Sequence, residues 1–220
     1  MALSIFRRAP QFLERRGPTS LLLWPLAYLY GCILRIRKLF FDLDLTHPKP
    51  IPVPVIIVGN IRVGGTGKTP IVIALAERLS QLGWKPGIIS RGYGSSIQKI
   101  PLQVKSSSDP SIAGDEPVLI AKRTHDQFPI WVFPKRKESI KALLKENPEV
   151  NVIISDDGLQ NQGLVRWPAR EGGRDIEFVV RDARGEGNRF LLPAGPLREP
   201  ASRDRDATLF TGNSKPPRST

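Results

Sequence analysis

The stretch Pro54-Val55-Ile56-Ile57-Val58-Gly59-Asn60-Ile61-Arg62-Val63-Gly64-Gly65-Thr66-Gly67-Lys68-Thr69-Pro70 decides the fold. Its first half is a β-branched run, Val55 to Val58, suited to a buried strand. Its second half carries Gly64, Gly65, Thr66 and Gly67, whose nearly bare backbone can turn several N–H groups toward one anion, and then Lys68 and Thr69. A strand, a glycine-rich turn and a helix in that order make a phosphate-binding loop. In such a loop Lys68 reaches the β- and γ-phosphates of a nucleotide, and the Thr69 hydroxyl ligates Mg²⁺. The strict GxxxxGK[ST] rule asks for glycine at the position of Arg62, so the match is confined to the GGTGKT core. After Pro70, the apolar residues Ile71, Leu75, Leu79 and Leu82 mark a helix over 70–82 that Gly83 ends.

Outward from this loop the chain alternates. Strands are expected at 55–58, 87–90, 130–133, 150–155 and 176–180, with a further helix at 137–146. This order predicts an α/β fold of the P-loop NTPase kind, a mostly parallel sheet flanked by helices, with ligands gathered at the carboxyl ends of the strands. Three polar clusters fall at such ends. Ser90-Arg91-Gly92-Tyr93-Gly94 follows a strand and offers Arg91 to a phosphate, or is a plain turn. Gly114-Asp115-Glu116-Pro117 opens an apolar helical stretch, where paired acids serve either chemistry or the helix dipole. Stronger is Ile153-Ile154-Ser155-Asp156-Asp157-Gly158-Leu159-Gln160, an apolar strand ending in two carboxylates. An acidic residue at the end of a strand beside the phosphate loop holds the Mg²⁺ that bridges the phosphates.

The 220 residues suffice for one α/β domain and an appendage. With 33 Lys and Arg against 21 Asp and Glu, the net charge is +12, which suits a polyanionic partner. No aromatic RNA-binding pattern, paired zinc ligands or recognition helix is present, so nucleic acid is not the expected partner. The single cysteine, Cys32, excludes an internal disulfide framework. From Gly17 to Leu34 there is no charge, and Arg7, Arg8, Arg15 and Arg16 precede this run while Arg35, Arg37 and Lys38 follow it. Pro25 in its middle and the aromatic Trp24, Tyr28 and Tyr30 fit a helix held at the lipid headgroups at least as well as a short span. No small-residue cleavage site follows, against a signal peptide. Residues 1–46 are therefore expected to form a membrane-associated anchor, 47–54 a proline-rich extended connector, 55–211 the phosphate-loop domain and 212–220 a polar tail. His47 and His125 match no motif and read as ordinary surface or structural residues.

Taken together, GNIRVGGTGKTP at 59–70, SRGYG at 90–94, GDEP at 114–117, DDGLQ at 156–160, RDARGEGN at 181–188 and LLPAGPLREP at 191–200 give the chain its resemblance to the tetraacyldisaccharide 4′-kinase family, the lipid A kinases of Gram-negative envelopes. The resemblance implies transfer of the γ-phosphate of ATP, with Mg²⁺, to the 4′-hydroxyl of an acylated disaccharide 1-phosphate. The reaction would run at the cytoplasmic face of the inner membrane, with anionic lipids as a second partner. By the same resemblance Asp115 would act as base or orienting group, with Glu116 beside it and Lys68 on the phosphates. Gly64 to Thr69 would cradle ATP, Thr69, Asp156 and Asp157 would manage Mg²⁺, and Arg91, Tyr93, Arg136 and Arg198 would contact phosphate or substrate. The chain departs from the family pattern at Asn161, where the family has histidine, at the longer stretch 162–173, and at Glu186, where an apolar residue is expected. The family's second domain is also expected to be missing beyond the tail. Two alternatives follow: a shortened homologue that binds nucleotide and membrane without a completed site, and a partitioning-type membrane ATPase. The latter carries a signature lysine where this chain has Val63.

Overall fold

β1 (Val55–Gly59) forms where the β-branched run predicts it, and all five of its residues are buried. That is the pattern of a strand covered on both faces, as parallel sheets require. The computed structural model describes residues 11–42, 51–92, 100–161, 164 and 167–212. After β1 come α3 (Lys68–Gln81), β2 (Pro86–Ser90), β3 (Leu102–Val104), α4 (Pro110–Ala113), α5 (Asp115–Arg123), β4 (Ile130–Val132), α6 (Arg136–Glu146), β5 (Val152–Asp156), β6 (Ile176–Arg181) and β7 (Ala207–Phe210). Before it lie α1 (Pro18–Leu22) and α2 (Trp24–Asp42). The strands form one seven-stranded sheet in the order β3-β4-β2-β5-β1-β6-β7, and only the β3–β4 pairing is antiparallel.

Each sheet face has its own core. Ile57, Ile89 and Ile153 share one cluster with Ile140 and Leu143 of α6. On the other face, Val58, Ile88, Ile154 and Val180 pack with Val72 and Ala76 of α3 and Val118, Ile120 and Ala121 of α5. Alternation along each strand sends neighbouring residues to opposite faces, and both faces are apolar because helices cover both.

Several expectations shift in detail. The helix after the loop starts at Lys68, two residues before the predicted start, because Gly67 adopts a left-handed conformation (φ 74°) that ends the loop. Its buried stripe is Lys68, Val72 and Ala76; Ile71, Leu75 and Leu79 flank the core, and Leu82 is exposed. β3, α4 and β7 are absent from the expected elements. They are short, and all four residues of β7 are only partly buried, so no apolar run marks it. In the 47–54 connector, residues 47–50 lie outside the described residues, while Ile51 is buried in the core and Val53 packs against it. Two main-chain carbonyls there, at Ile51 and Pro52, accept from the Arg174 guanidinium.

Candidate active site

Strand order brings the two halves of the site together. β5 lies directly beside β1 with Val58 in register with Asp156, and the Asp157 N–H donates to the Val58 carbonyl at 2.8 Å. The carboxylates therefore emerge where β1 gives way to the loop. Lys68, buried at the first turn of α3, places its ammonium 3.3 Å from Asp157 Oδ1. Arg198, a third exposed, reaches Asp157 Oδ2 with Nη1, also at 3.3 Å. One carboxylate thus sits between two cations.

The loop is held from beneath and from the side. Asn60, fully buried, donates through Nδ2 to the Gly64 carbonyl and to Thr66 Oγ1, each at 3.1 Å. Thr211, just past β7, donates to the Thr66 carbonyl at 3.0 Å, and Arg184 of the RDARGEGN segment donates to the Gly65 carbonyl. Carbonyls are thereby tied to the protein, leaving the loop to present its amides outward. Thr69 follows Lys68 in the first turn of α3 and is half-buried.

Asp156 and Asp157 are neighbours in unlike surroundings. Asp156 is 1% exposed and neither of its carboxylate oxygens has a hydrogen-bond partner. Burial chiefly, then the negative charges of Glu116 and Asp157, push its pKa up to about 7 against the pull of Lys68 and Arg136. Asp157 takes a positive φ of 51°, uncommon outside glycine, and one third of its side chain is open. Behind the pair stands Arg136 at the start of α6. It is 3% exposed and donates to Ser155 Oγ and the Asp156 carbonyl at 2.6 Å each and to the Asp157 carbonyl at 2.7 Å. The guanidinium, expected to contact phosphate or substrate, is buried and bonded to the main chain of the acidic pair, as a brace would be. Gly158 permits this, because a Cβ there would fall 2.5 Å from Ser155 Oγ and 3.2 Å from Arg136 Nη1.

Asp115 and Glu116 open α5 as exposed residues of its first turn, after Gly114 at φ 93°. Glu116 lies near enough for its charge to act on Asp156. Arg91 is exposed just past the carboxyl end of β2, on the ligand side of the sheet, and Tyr93 lies outside the described residues. Val63, at the position that argues against the partitioning class, donates its N–H to the Pro196 carbonyl at 2.9 Å. His125 is an exposed residue of the turn after α5, and His47 is outside the described residues.

Spacing does not single out Asn60, Ser155 or Arg184. The signal for Asn60 and Ser155 is a small polar residue inside or directly after an otherwise apolar strand. Arg184 carries only the glycine-rich company of its segment.

The residues fit a magnesium ion shared with a nucleotide. Among the described residues no three His, Cys, Asp or Glu side chains converge on one point. Mg²⁺ asks for no such cage, since it binds one or two carboxylates and completes its shell with water and phosphate oxygens. The unpartnered, buried carboxylate of Asp156 beside the phosphate loop is a donor suited to that use.

A family model for tetraacyldisaccharide-1-P 4′-kinase matches residues 19–220. The chain belongs to this family. It is 80% identical to a tetraacyldisaccharide 4′-kinase of Polynucleobacter asymbioticus over 97% of its length, and 48% identical to one of Herminiimonas arsenicoxydans over 90%. It covers 59% and 53% of those proteins, so the chain spans little more than half the length of the curated relatives it matches. Among solved structures it resembles LpxK from Aquifex aeolicus, crystallised in complex with ATP, with a TM-score of 0.74 and 34% identity. That match covers 87% of this chain and 58% of the other. The family's fold is therefore the one seen here: a P-loop-type α/β sheet.

Proposed function

We propose that the chain carries the phosphoryl-transfer site of a tetraacyldisaccharide 4′-kinase, passing the γ-phosphate of ATP to the 4′-hydroxyl of an acylated disaccharide 1-phosphate. The observation that carries this reading is the meeting of Lys68 with Asp157 at 3.3 Å beside the unpartnered Asp156, at the end of a strand adjacent to the loop. Family membership supports this acceptor, and the geometry supports this site.

The amides of 64–69 and the Lys68 ammonium bind the β- and γ-phosphates and orient the transferred group. Displaced from Asp157 by a phosphate, Lys68 neutralises charge that develops during transfer. Thr69, Asp156 and Asp157 are the side chains that would hold Mg²⁺, which supplies charge neutralisation across the phosphates when bound. Asp115 or Glu116, at the exposed start of α5, accepts the proton of the attacking sugar hydroxyl. Arg198 and Arg91 offer cations to phosphate oxygens at the rim. Arg136 positions the acidic pair by holding its main chain.

The same reading gives the amino-terminal helices an occupant, an anionic bilayer. No helix among the described residues is long and apolar enough to cross a membrane. Yet Leu22, Leu26, Leu29, Ile33, Ile36 and Phe40, spaced alternately four and three apart, all lie more than half exposed along one stripe. Arg15 and Arg16 precede that helix, Arg35, Arg37 and Lys38 lie along its second half, and the chain as a whole carries +12. An apolar stripe with cationic flanks lies in the plane of an anionic surface, at the depth where an acylated sugar phosphate presents its headgroup. The cytoplasmic leaflet of the inner membrane, where ATP is present, is the surface proposed.

The test is transfer of label from [γ-³²P]ATP to the acylated disaccharide 1-phosphate in vesicles. Label in a product phosphorylated at the 4′ position supports the kinase. Hydrolysis of ATP without lipid labelling overturns it.

A further inference from the structure

α2 turns a second face, away from its apolar stripe, onto the loops that carry the site. Ala27 on that face is buried, and a Cβ at Gly31 would lie 3.1 Å from Leu191 Cδ1. Two hydrogen bonds from side chains seven residues apart, at the edge where that face meets the stripe, fasten the helix there. The Tyr30 hydroxyl donates to the Arg198 carbonyl at 2.9 Å, and Arg37 Nη2 donates to the Gln160 carbonyl at 3.4 Å.

Each bond leads into the site. Arg198 donates its own N–H to the Ile61 carbonyl at 2.7 Å and pairs through its guanidinium with Asp157. Gln160 donates through Nε2 to the Asn60 carbonyl at 3.0 Å, and the Asn60 side chain holds the Gly64 carbonyl and the Thr66 hydroxyl. The helix is therefore two side chains from the acidic pair and two from the phosphate loop. Burial and the nearby Glu199 raise the Tyr30 phenol above its ordinary pKa, so it remains a donor at neutral and mildly alkaline pH.

We propose that Tyr30 and Arg37 are positioning residues through which a bilayer-seated α2 holds the Arg198–Asp157 pair and the 64–69 loop in place. This rests on the kinase and membrane reading above. In water the stripe of α2 faces solvent, and a helix attached by few apolar contacts opens at low cost. A bilayer that binds α2 while it stays docked shifts the equilibrium toward the docked form, and the two hydrogen bonds carry that shift to the loops.

The decisive experiment is hydrogen–deuterium exchange on the full chain, with and without vesicles of phosphatidylethanolamine and phosphatidylglycerol. In the unsubstituted protein, vesicles are expected to slow amide exchange at 64–69 and 157–161 by about fivefold, the ratio that one hydrogen bond accounts for. Tyr30→Phe is expected to bind vesicles equally and melt at a similar temperature, yet lose the slowing at 157–161. Tyr28→Phe, which alters an exposed aromatic two residues away, is expected to behave as the unsubstituted protein. Equal slowing in Tyr30→Phe overturns the proposal. So does unchanged or faster exchange in the unsubstituted protein, which would mean that α2 leaves the body when it enters lipid. In the transfer assay, Tyr30→Phe is expected to lower kcat by about fivefold with KM for ATP unchanged. Failure of the unsubstituted protein to label lipid sinks the kinase reading alone, because the exchange measurement needs no turnover.

Discussion

The β1–β5 pair and α2 are both built of large aliphatic residues, and the protein disposes of them in opposite ways. Ile57, Ile153 and Ile154 have no exposed surface, whereas Leu29, Ile33 and Ile36 are 57%, 54% and 55% exposed. Hydrophobicity alone does not tell these regions apart; period and flanks do. The strands are unbroken β-branched runs closed by small polar residues, which fold into a sheet covered on both faces. The helix repeats its aliphatics every three to four residues between clusters of basic residues, which leaves one exposed stripe, the one proposed to meet lipid. Charge is handled oppositely as well. At the end of the sheet a carboxylate is buried without a hydrogen-bond partner; on α2 the cations are exposed and Lys38 stands 3.8 Å from Asp204.

The sheet end is the region where single substitutions should matter most. Lys68→Ala is expected to lower the rate of lipid phosphorylation by a factor of about 10³, as loss of one charge-stabilising group does at other sites. Single-turnover transfer checks it, and a loss of less than about tenfold would mean that the loop is not where the phosphate sits. Asp156→Asn should also remove transfer, but with an opposite effect on stability. Its folded pKa, raised to about 7 by burial, stands well above the 3.8 of an ordinary aspartate. The native state therefore holds this proton more tightly than the unfolded chain. The stability it confers is complete below pH 4 and is lost as pH rises through 7, a swing of about 4 kcal/mol. Asparagine does not titrate. Urea unfolding should find Asp156→Asn no more stable than the parent at pH 4.5 and more stable at pH 8, with Mg²⁺ and ATP narrowing the gap. A pH-independent difference breaks the assignment.

How much of this was legible follows the same division. The unbroken runs at 55–58 and 152–154, with Gly64 to Thr69 between a strand and a helix, identify the parallel sheet and the loop from sequence. So does the Asp-Asp-Gly end of β5. What the sequence hides is direction. Arg136 reads as one more cation for a polyanionic ligand, but packing turns it behind the carboxylates. Asp156 and Asp157 read as equals, yet one is sealed and the other sits in an open, left-handed turn. β7 escapes because a half-exposed edge strand needs no apolar run, and the docked face of α2 escapes because its ties are main-chain carbonyls, which every residue has. Only contacts made in three dimensions separate these cases.

Arg136 offers the next test of the scaffold. Replacing it with methionine keeps much of the buried volume and strands the Ser155 hydroxyl and two carbonyls. A loss of about 3 kcal/mol in urea unfolding is expected, since each buried group left unpaired costs about 1–3 kcal/mol. Were Arg136 instead a substrate contact, the variant would keep its stability and lose only KM.

α2 should answer differently to the same kind of change. Leu29→Ser removes an apolar side chain that already faces water, so the melting temperature should stay within about 1 °C. Partition onto anionic vesicles should fall by about thirtyfold, because a leucine moved from water into an apolar medium is worth about 2 kcal/mol. A drop in stability without a drop in partition would turn the stripe into part of a protein interface and dissolve the contrast with the sheet.

The smallest effect belongs to the cations carried elsewhere on the same helix. Arg35 is exposed, and neutralising it as Arg35→Gln removes one charge from the helix proposed to lie on lipid, within about one low-salt Debye length of that surface. Such a charge contributes about 1 kcal/mol toward an anionic leaflet and nothing toward a neutral one. Partition onto vesicles containing phosphatidylglycerol should therefore fall by about fivefold at low salt, while partition onto phosphatidylcholine vesicles stays unchanged. Raising ionic strength should erase the difference for Arg35→Gln but not for Leu29→Ser, since screening acts on charges and leaves apolar transfer intact. If both variants lost affinity equally on neutral lipid, the flanking charge would be irrelevant and the anionic leaflet would no longer be the partner that this helix fits.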